Sequence, residues 1–103
     1  MLGFLSLESG VFVIDPQFKG AWYDKGLALN TLGKNQEALD AFDKALETDP
    51  QYKYAWYGKG LALYDLGKYQ EAINAYDKAL EIDPQYKLAF DDKEIALKKL
   101  RGY

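Results

Sequence analysis

Residues 53–86 read KYAWYGKGLALYDLGKYQEAINAYDKALEIDPQY, and residues 19–52 immediately before them read KGAWYDKGLALNTLGKNQEALDAFDKALETDPQY. The two stretches are identical at 25 of 34 positions, and several of the remaining pairs are conservative, such as Leu39 with Ile73 and Phe42 with Tyr76. The tripeptide Asp-Pro-Gln marks the period at Asp15, Asp49 and Asp83. A fixed period of this length means that one supersecondary unit is repeated and stacked. Within each copy the apolar and small residues step by three or four: Trp22, Gly26, Leu29, then Ala38, Phe42, Ala45; and Trp56, Gly60, Leu63, then Ala72, Tyr76, Ala79. That spacing is helical. Gly33-Lys34 and Gly67-Lys68 separate the two runs, with glycine where a helix ends in a left-handed residue, so each copy is expected to be two antiparallel helices. The Asp-Pro step is expected to close one pair and open the next helix, with the carboxylate capping free amides and proline in the first turn.

The residues that carry a resemblance are then all in view. The sequence resembles the tetratricopeptide repeat family, whose unit runs Trp, two residues, Leu-Gly, two residues, Tyr, then Ala, three residues, Phe, and finally Pro. Trp22, Gly26, Ala38, Phe42 and Pro50 match in the first copy, and Trp56, Gly60, Ala72, Tyr76 and Pro84 in the second. Lys25 and Lys59 depart from the usual leucine, and Leu29 and Leu63 from the usual tyrosine. The leucines remain compatible with a core, and the lysines can lay their stems along the helix with the charge in water. The resemblance implies an all-α fold, a right-handed α-solenoid of antiparallel hairpins with two full repeats and a C-terminal capping helix. The expected division is a degenerate half-repeat or arm over 1–18, repeats over 19–52 and 53–86, and a capping helix over 87–103.

Small residues at Gly26, Ala38 and Ala45 let the paired helices approach, with Trp22 and Phe42 filling the wedge; Gly60, Ala72, Ala79, Trp56 and Tyr76 do the same in the second copy. Lys87, Ala89, Lys93, Ala96, Leu97 and Leu100 continue the register, but Glu94 stands where Gly26 and Gly60 stand. Glutamate fits there only if no second helix packs on that spot, as on the polar end of a solenoid. In the first residues Leu5 aligns with Leu39, while Phe4 replaces Ala38, Glu8 replaces Phe42 and Gly10 falls within the expected helix. A degenerate half-repeat, a fragment boundary, an artificially appended tail and a β-prone arm through Val11–Ile14 all remain open readings of that segment.

Composition narrows the function. Thirteen basic and sixteen acidic residues are interspersed, for a net charge of −3, so no basic stripe awaits nucleic acid. The apolar residues near the start are broken by Glu8, Ser9 and Gly10, too short a run to span a bilayer, and they lack the pattern of a secretory signal. A cytoplasmic location without membrane attachment is the expectation, and the absence of cysteine agrees with a reducing compartment. Histidine is absent too, and without histidine or cysteine the chain lacks the commonest general base, the most reactive nucleophile and the commonest transition-metal ligands. Asp40 with Asp43, and Asp91 with Asp92, have lysines nearby and read as solvated helix faces. No catalytic residue, metal or cofactor is expected.

The resemblance also implies that the first helices of successive repeats line a concave groove that receives a protein or peptide segment. Carried over by position, the groove set is Gly20, Tyr23, Leu27 and Asn30; Tyr54, Tyr57, Leu61 and Tyr64; and Leu88, Asp91, Ile95 and Lys98. Leu27, Leu61 and Ile95 read more simply as packing between adjacent helices. The candidates for partner contact are Tyr23, Asn30, Tyr54, Tyr57, Tyr64, Leu88 and Asp91, since tyrosine combines rigid apolar area with a polar tip. The lysine, asparagine and arginine clamp with which some members hold acidic chaperone tails is absent, for Tyr23, Leu27, Gly58, Leu88 and Asp92 occupy its places. The alternative is a structural or self-assembly unit, either a homo-oligomer or part of a longer or designed array, with no separate ligand. High identity between copies suits recent duplication or a consensus-like array.

Overall fold

The computed structural model describes residues 18–102. They form α1 (Lys19–Thr31), α2 (Asn35–Thr48), α3 (Lys53–Asp65), α4 (Tyr69–Ile82) and α5 (Lys87–Arg101), an all-α helical repeat with no strand among the described residues. The expectation for residues 1–15, a half-repeat or an arm, lies outside the described residues.

The glycine turns form as the spacing predicts. Gly33 and Gly67 have φ of +82° and +80°, a region closed to most side chains. At the end of α1 the Gly33 amide donates to the Asn30 carbonyl at 3.0 Å and the Lys34 amide to the Leu29 carbonyl at 2.8 Å; Gly67 and Lys68 repeat this at 2.9 Å each. These bonds satisfy carbonyls that the helix end would otherwise leave bare, and they turn the chain back on itself. The Asp-Pro step differs from the expectation. Asp49 and Asp83 are the residues that end α2 and α4, while α3 and α5 begin only at Lys53 and Lys87, with no side chain capping either start. The carboxylate instead accepts from the amide two residues on, Gln51 at 3.0 Å and Gln85 at 2.9 Å. Proline therefore sits in a tight loop ahead of the helix, because the aspartate is held locally and by a lysine.

Packing follows the small residues. Ala38, Ala45, Ala55, Ala62, Ala72, Ala79, Ala89 and Ala96 are all completely buried, and among the described residues the two large side chains hidden from solvent are Phe42 and Tyr76. A Cβ at Gly26 would fall within 3.0 Å of the Phe42 ring, and one at Gly60 within 3.0 Å of the Tyr76 ring, so each glycine is the seat of an aromatic from the facing helix. Burying such a ring contributes about 1.5–3 kcal/mol, which is available only while nothing holds the backbones apart. Trp22 and Trp56 pack with Ala45, Leu46 and Ala55, where the hairpins meet, and Trp56 Nε1 donates to the Pro50 carbonyl at 2.9 Å.

Ion pairs staple the units in register. Lys59 of α3 meets Asp43 of α2 at 2.9 Å and Lys93 of α5 meets Asp77 of α4 at 2.7 Å, while Lys19 and Lys53 bond Asp49 and Asp83. Lys59 also lies over the Trp56 ring, so this departure from leucine is held by a carboxylate and an indole. All are partly exposed, so solvent screening keeps the contribution of each small. In α5 Ala89 and Ala96 pack inward whereas Glu94 is exposed, so no helix among the described residues covers that position. Its last turn carries Lys98, Lys99 and Arg101 where the helix dipole favours cations.

Candidate functional site

Three helices of the same kind, α1, α3 and α5, lie side by side, and α1 touches α3 directly. Because the repeat is 34 residues, equivalent side chains form columns across them: Phe18, Tyr52 and Tyr86 just before each helix, Gly20, Tyr54 and Leu88 in the first turn, and Tyr23, Tyr57 and Asp91 one turn on. The tyrosines of these columns touch in a continuous network. Tyr23 lies 5.8 Å from Tyr52 and 6.1 Å from Tyr54, and Tyr52 lies 5.6 Å from Tyr54. Tyr54 then contacts Tyr86 at 5.8 Å, and Tyr86 contacts Tyr57 at 5.4 Å. Most of these contacts are tilted or edge-on, the arrangement that the ring quadrupole favours.

Exposure separates the members. Tyr54 is 42% exposed and its neighbour Leu88 56%, so this column presents apolar area to solvent. Tyr23 and Tyr57 are half-buried, anchored below by Phe42 at 5.9 Å and Tyr76 at 5.8 Å respectively. The Tyr57 hydroxyl donates to Asp92 Oδ2 at 2.6 Å. Burial, and then the hydrogen bond and charge of Asp92, raise the Tyr57 phenol far above its ordinary value. Burial likewise raises Tyr23, Tyr52, Tyr76 and Tyr86. The polar tip of Tyr57 is thus already engaged.

The other candidates fall elsewhere. Asp91 accepts an ion pair from Lys87 at 3.0 Å within α5. Tyr64 meets Tyr69 edge-on at 5.2 Å near the far end of the second hairpin, ten residues along α3 from Tyr54, or about 15 Å at helical rise. Asn30 holds the equivalent place in the first hairpin, half-buried, with its Oδ1 unbonded. The structure therefore brings Tyr23, Tyr54, Tyr57 and Leu88 to one end of the face and leaves Asn30 and Tyr64 at the other. Leu27 packs against Phe42 and Ala62 as core.

Tyr52 and Tyr86 belong to the network although helical spacing did not select them, because they precede the helices. The recurrence of an aromatic after each Asp-Pro-Gln, Phe18, Tyr52 and Tyr86, was the available signal. Gly58 was also missed as a packing residue: a Cβ there would meet the Phe42 ring.

A surface cavity of about 400 Å³ lies between α2, α3 and α4, floored by Leu39, Trp56 and Leu63. Lys59 and Asp43 at its rim are already paired with each other, and none of the network tyrosines lines it. Among the described residues no cluster of acidic side chains could hold a metal ion, and no helix is long and apolar enough to cross a membrane.

Such columns on stacked hairpins define an all-α helical repeat of the kind that presents one face of its first helices. The tetratricopeptide repeat family model matches residues 8–53 and 23–87, and the chain belongs to that family. Among solved structures it is similar to MamA, with a TM-score of 0.79 and 30% identity over 85% of this chain and 51% of that one. It is also similar to YrrB, described as a TPR protein with an unusual peptide-binding site, with a TM-score of 0.73 and 29% identity over 76% of this chain and 40% of that one. The chain thus spans about half or less of the length of these relatives. No curated protein sequence matches it significantly.

Proposed function

We propose that the chain is a non-catalytic scaffold, working in the cytoplasm, that holds a peptide or protein segment along the face of α1, α3 and α5. The observation that carries this reading is the tyrosine network with its exposed outer column, Tyr54 and Leu88. Rigid rings supported from beneath lose little entropy when a partner covers them, which is why such residues dominate recognition surfaces. Membership of a family typified by protein binding, and the peptide-binding site described for YrrB, agree with it. The test is selection of a displayed random peptide library on the full chain, followed by Tyr54→Ala and Leu88→Ala. Each variant should weaken the selected peptides at least about tenfold, the size expected of a central contact. Peptides that bind both variants as tightly as the parent would rule the face out.

Self-association is the second reading, and it rests on α5. Phe90 stands where Trp22 and Trp56 pack, yet is 52% exposed, and Ile95 and Leu100 of the same helix are exposed too. Light scattering over a concentration series, with Phe90→Ser as control, decides: a dimer abolished by the substitution supports this reading, and a monomer at every concentration removes it.

A further inference from the structure

The two hairpins carry one aromatic framework, filled in the second and incomplete in the first. A shift of 34 residues places Lys19, Gly20, Tyr23 and Tyr52 on Lys53, Tyr54, Tyr57 and Tyr86. In the second set the Tyr54 and Tyr86 rings meet edge-on at 5.8 Å and 76°. Lys53 Nζ is shared between them, 5.2 Å from one centroid and 5.3 Å from the other, while it bonds Asp83. In the first set Lys19 bonds Asp49 in the same way and stands 4.9 Å over the Tyr52 ring, but the second ring is missing because residue 20 is glycine. Among the described residues, a Cβ built on Gly20 meets only the Tyr52 hydroxyl, at an ordinary contact distance of 3.8 Å. One turn along α1, Asp24 replaces the buried Gly58 of the second copy; it is exposed and forms no ion pair with another described residue.

From this comparison we infer that the notch at Gly20 receives an aromatic side chain of a partner peptide, and that a cationic residue beside it in the peptide pairs with Asp24. The inference rests on the proposed peptide-binding face and names the class of segment it takes. Aromatic specificity follows from the seat itself. Lys19 offers a cation already fixed by Asp49, and Tyr52 offers a ring edge, both of which reward a π-face more than an aliphatic chain. A basic neighbour follows from Asp24, exposed and in no ion pair with another described residue, and from the acidic balance of the chain.

The test is a titration of the isotope-labelled full chain, followed by amide and tyrosine-ring NMR, with blocked pentapeptides Gly-Arg-Tyr-Arg-Gly, Gly-Arg-Ala-Arg-Gly and Gly-Glu-Tyr-Glu-Gly. Saturable shifts at Gly20, Asp24 and the Tyr52 ring are expected with the first peptide, at concentrations about tenfold lower than with either of the others. Gly20→Tyr fills the seat from within and should abolish those shifts while the helical circular-dichroism spectrum is retained. Absence of shifts at Gly20 up to millimolar Gly-Arg-Tyr-Arg-Gly, or shifts that persist in Gly20→Tyr, would overturn the inference. Overhauser contacts in the free chain between the Tyr52 ring and residues 1–17 would also overturn it, by assigning the notch to the chain's own segment. Shifts confined to Tyr54 and Leu88 would sink the notch and leave the binding face standing; no shift on either part of the face, together with failure of the library selection, would remove both.

Discussion

The ring of Phe42 sits directly on Gly58: three of its carbons fall within 3.0 Å of where a Cβ at that glycine would lie. Phe42 belongs to the first hairpin and Gly58 to the second, so the contact fixes the distance between repeats as well as within one. Gly58→Ala should therefore destabilise the protein by about 1–3 kcal/mol, since overpacking outweighs the gain of up to about 1 kcal/mol in helix propensity. Gly20→Ala, whose Cβ would meet only the Tyr52 hydroxyl among the described residues, should stabilise by about 0.5 kcal/mol. Urea unfolding of the two variants checks both signs, and equal effects would contradict the packing described.

Gly67 turns α3 into α4 at a φ of +80°. Gly67→Ala places a side chain in the left-handed region and should cost about 1 kcal/mol, lowering Tm by about 4–8 °C for a chain of this size. A melting temperature equal to that of the parent would mean that the turn relaxes into another conformation.

Tyr57 and Asp92 join α3 to α5 through one hydrogen bond of 2.6 Å. Tyr57→Phe keeps the ring contacts with Tyr76 and Tyr86 and removes only this bond, so a loss of about 1 kcal/mol is expected. A double-mutant cycle with Asp92→Ala should show coupling of similar size, whereas additive effects would assign the loss to something other than the pair.

Asp49 and Asp83 are held below the ordinary carboxylate range, first by hydrogen bonds from Lys19 and Lys53 and then by the Gln51 and Gln85 amides. A carboxyl depressed in the folded state contributes stability above its unfolded value of about 4, and that contribution disappears as pH falls through the depressed value. The urea midpoint should drop on acidification below about pH 4, and Asp49→Asn with Asp83→Asn should flatten that limb. An unaltered acid limb in the double variant would show that the pairs carry none of it.

Tyrosine works at the opposite end of the pH scale. Tyr23, Tyr52, Tyr57, Tyr76 and Tyr86 are raised mainly by burial, so the neutral phenol is favoured in the folded chain. Their contribution is complete below the unfolded value of about 10 and is lost as pH rises above it, because only the unfolded chain then releases the protons. Part of the tyrosinate absorbance should develop together with loss of helical signal above about pH 10. Full ionisation of every tyrosine with the helices intact would contradict this.

The architecture was legible because a period repeats every local instruction. Trp22, Gly26, Ala38 and Phe42 recur as Trp56, Gly60, Ala72 and Tyr76, and glycine at 33 and 67 can do little at a helix end but take the left-handed turn that a solenoid hairpin needs. The lack of histidine and cysteine likewise reads straight from the chain.

The order of residues alone dictates the hairpins, the glycine turns between their helices, and the first helices as the elements that present tyrosine. Which tyrosines meet is settled in three dimensions. Helix periodicity describes one helix at a time, whereas the approach of Tyr23 to Tyr52 and Tyr54 depends on how closely the two hairpins nest, with Phe42 seated on Gly58 between them, and that of Tyr54 to Tyr86 on how α5 packs on the second hairpin. Where α3 meets α5, the place of Gly58 is taken by Asp92, which accepts from the Tyr57 hydroxyl, because side chains in identical sequence registers acquire different surroundings once their neighbours in space differ.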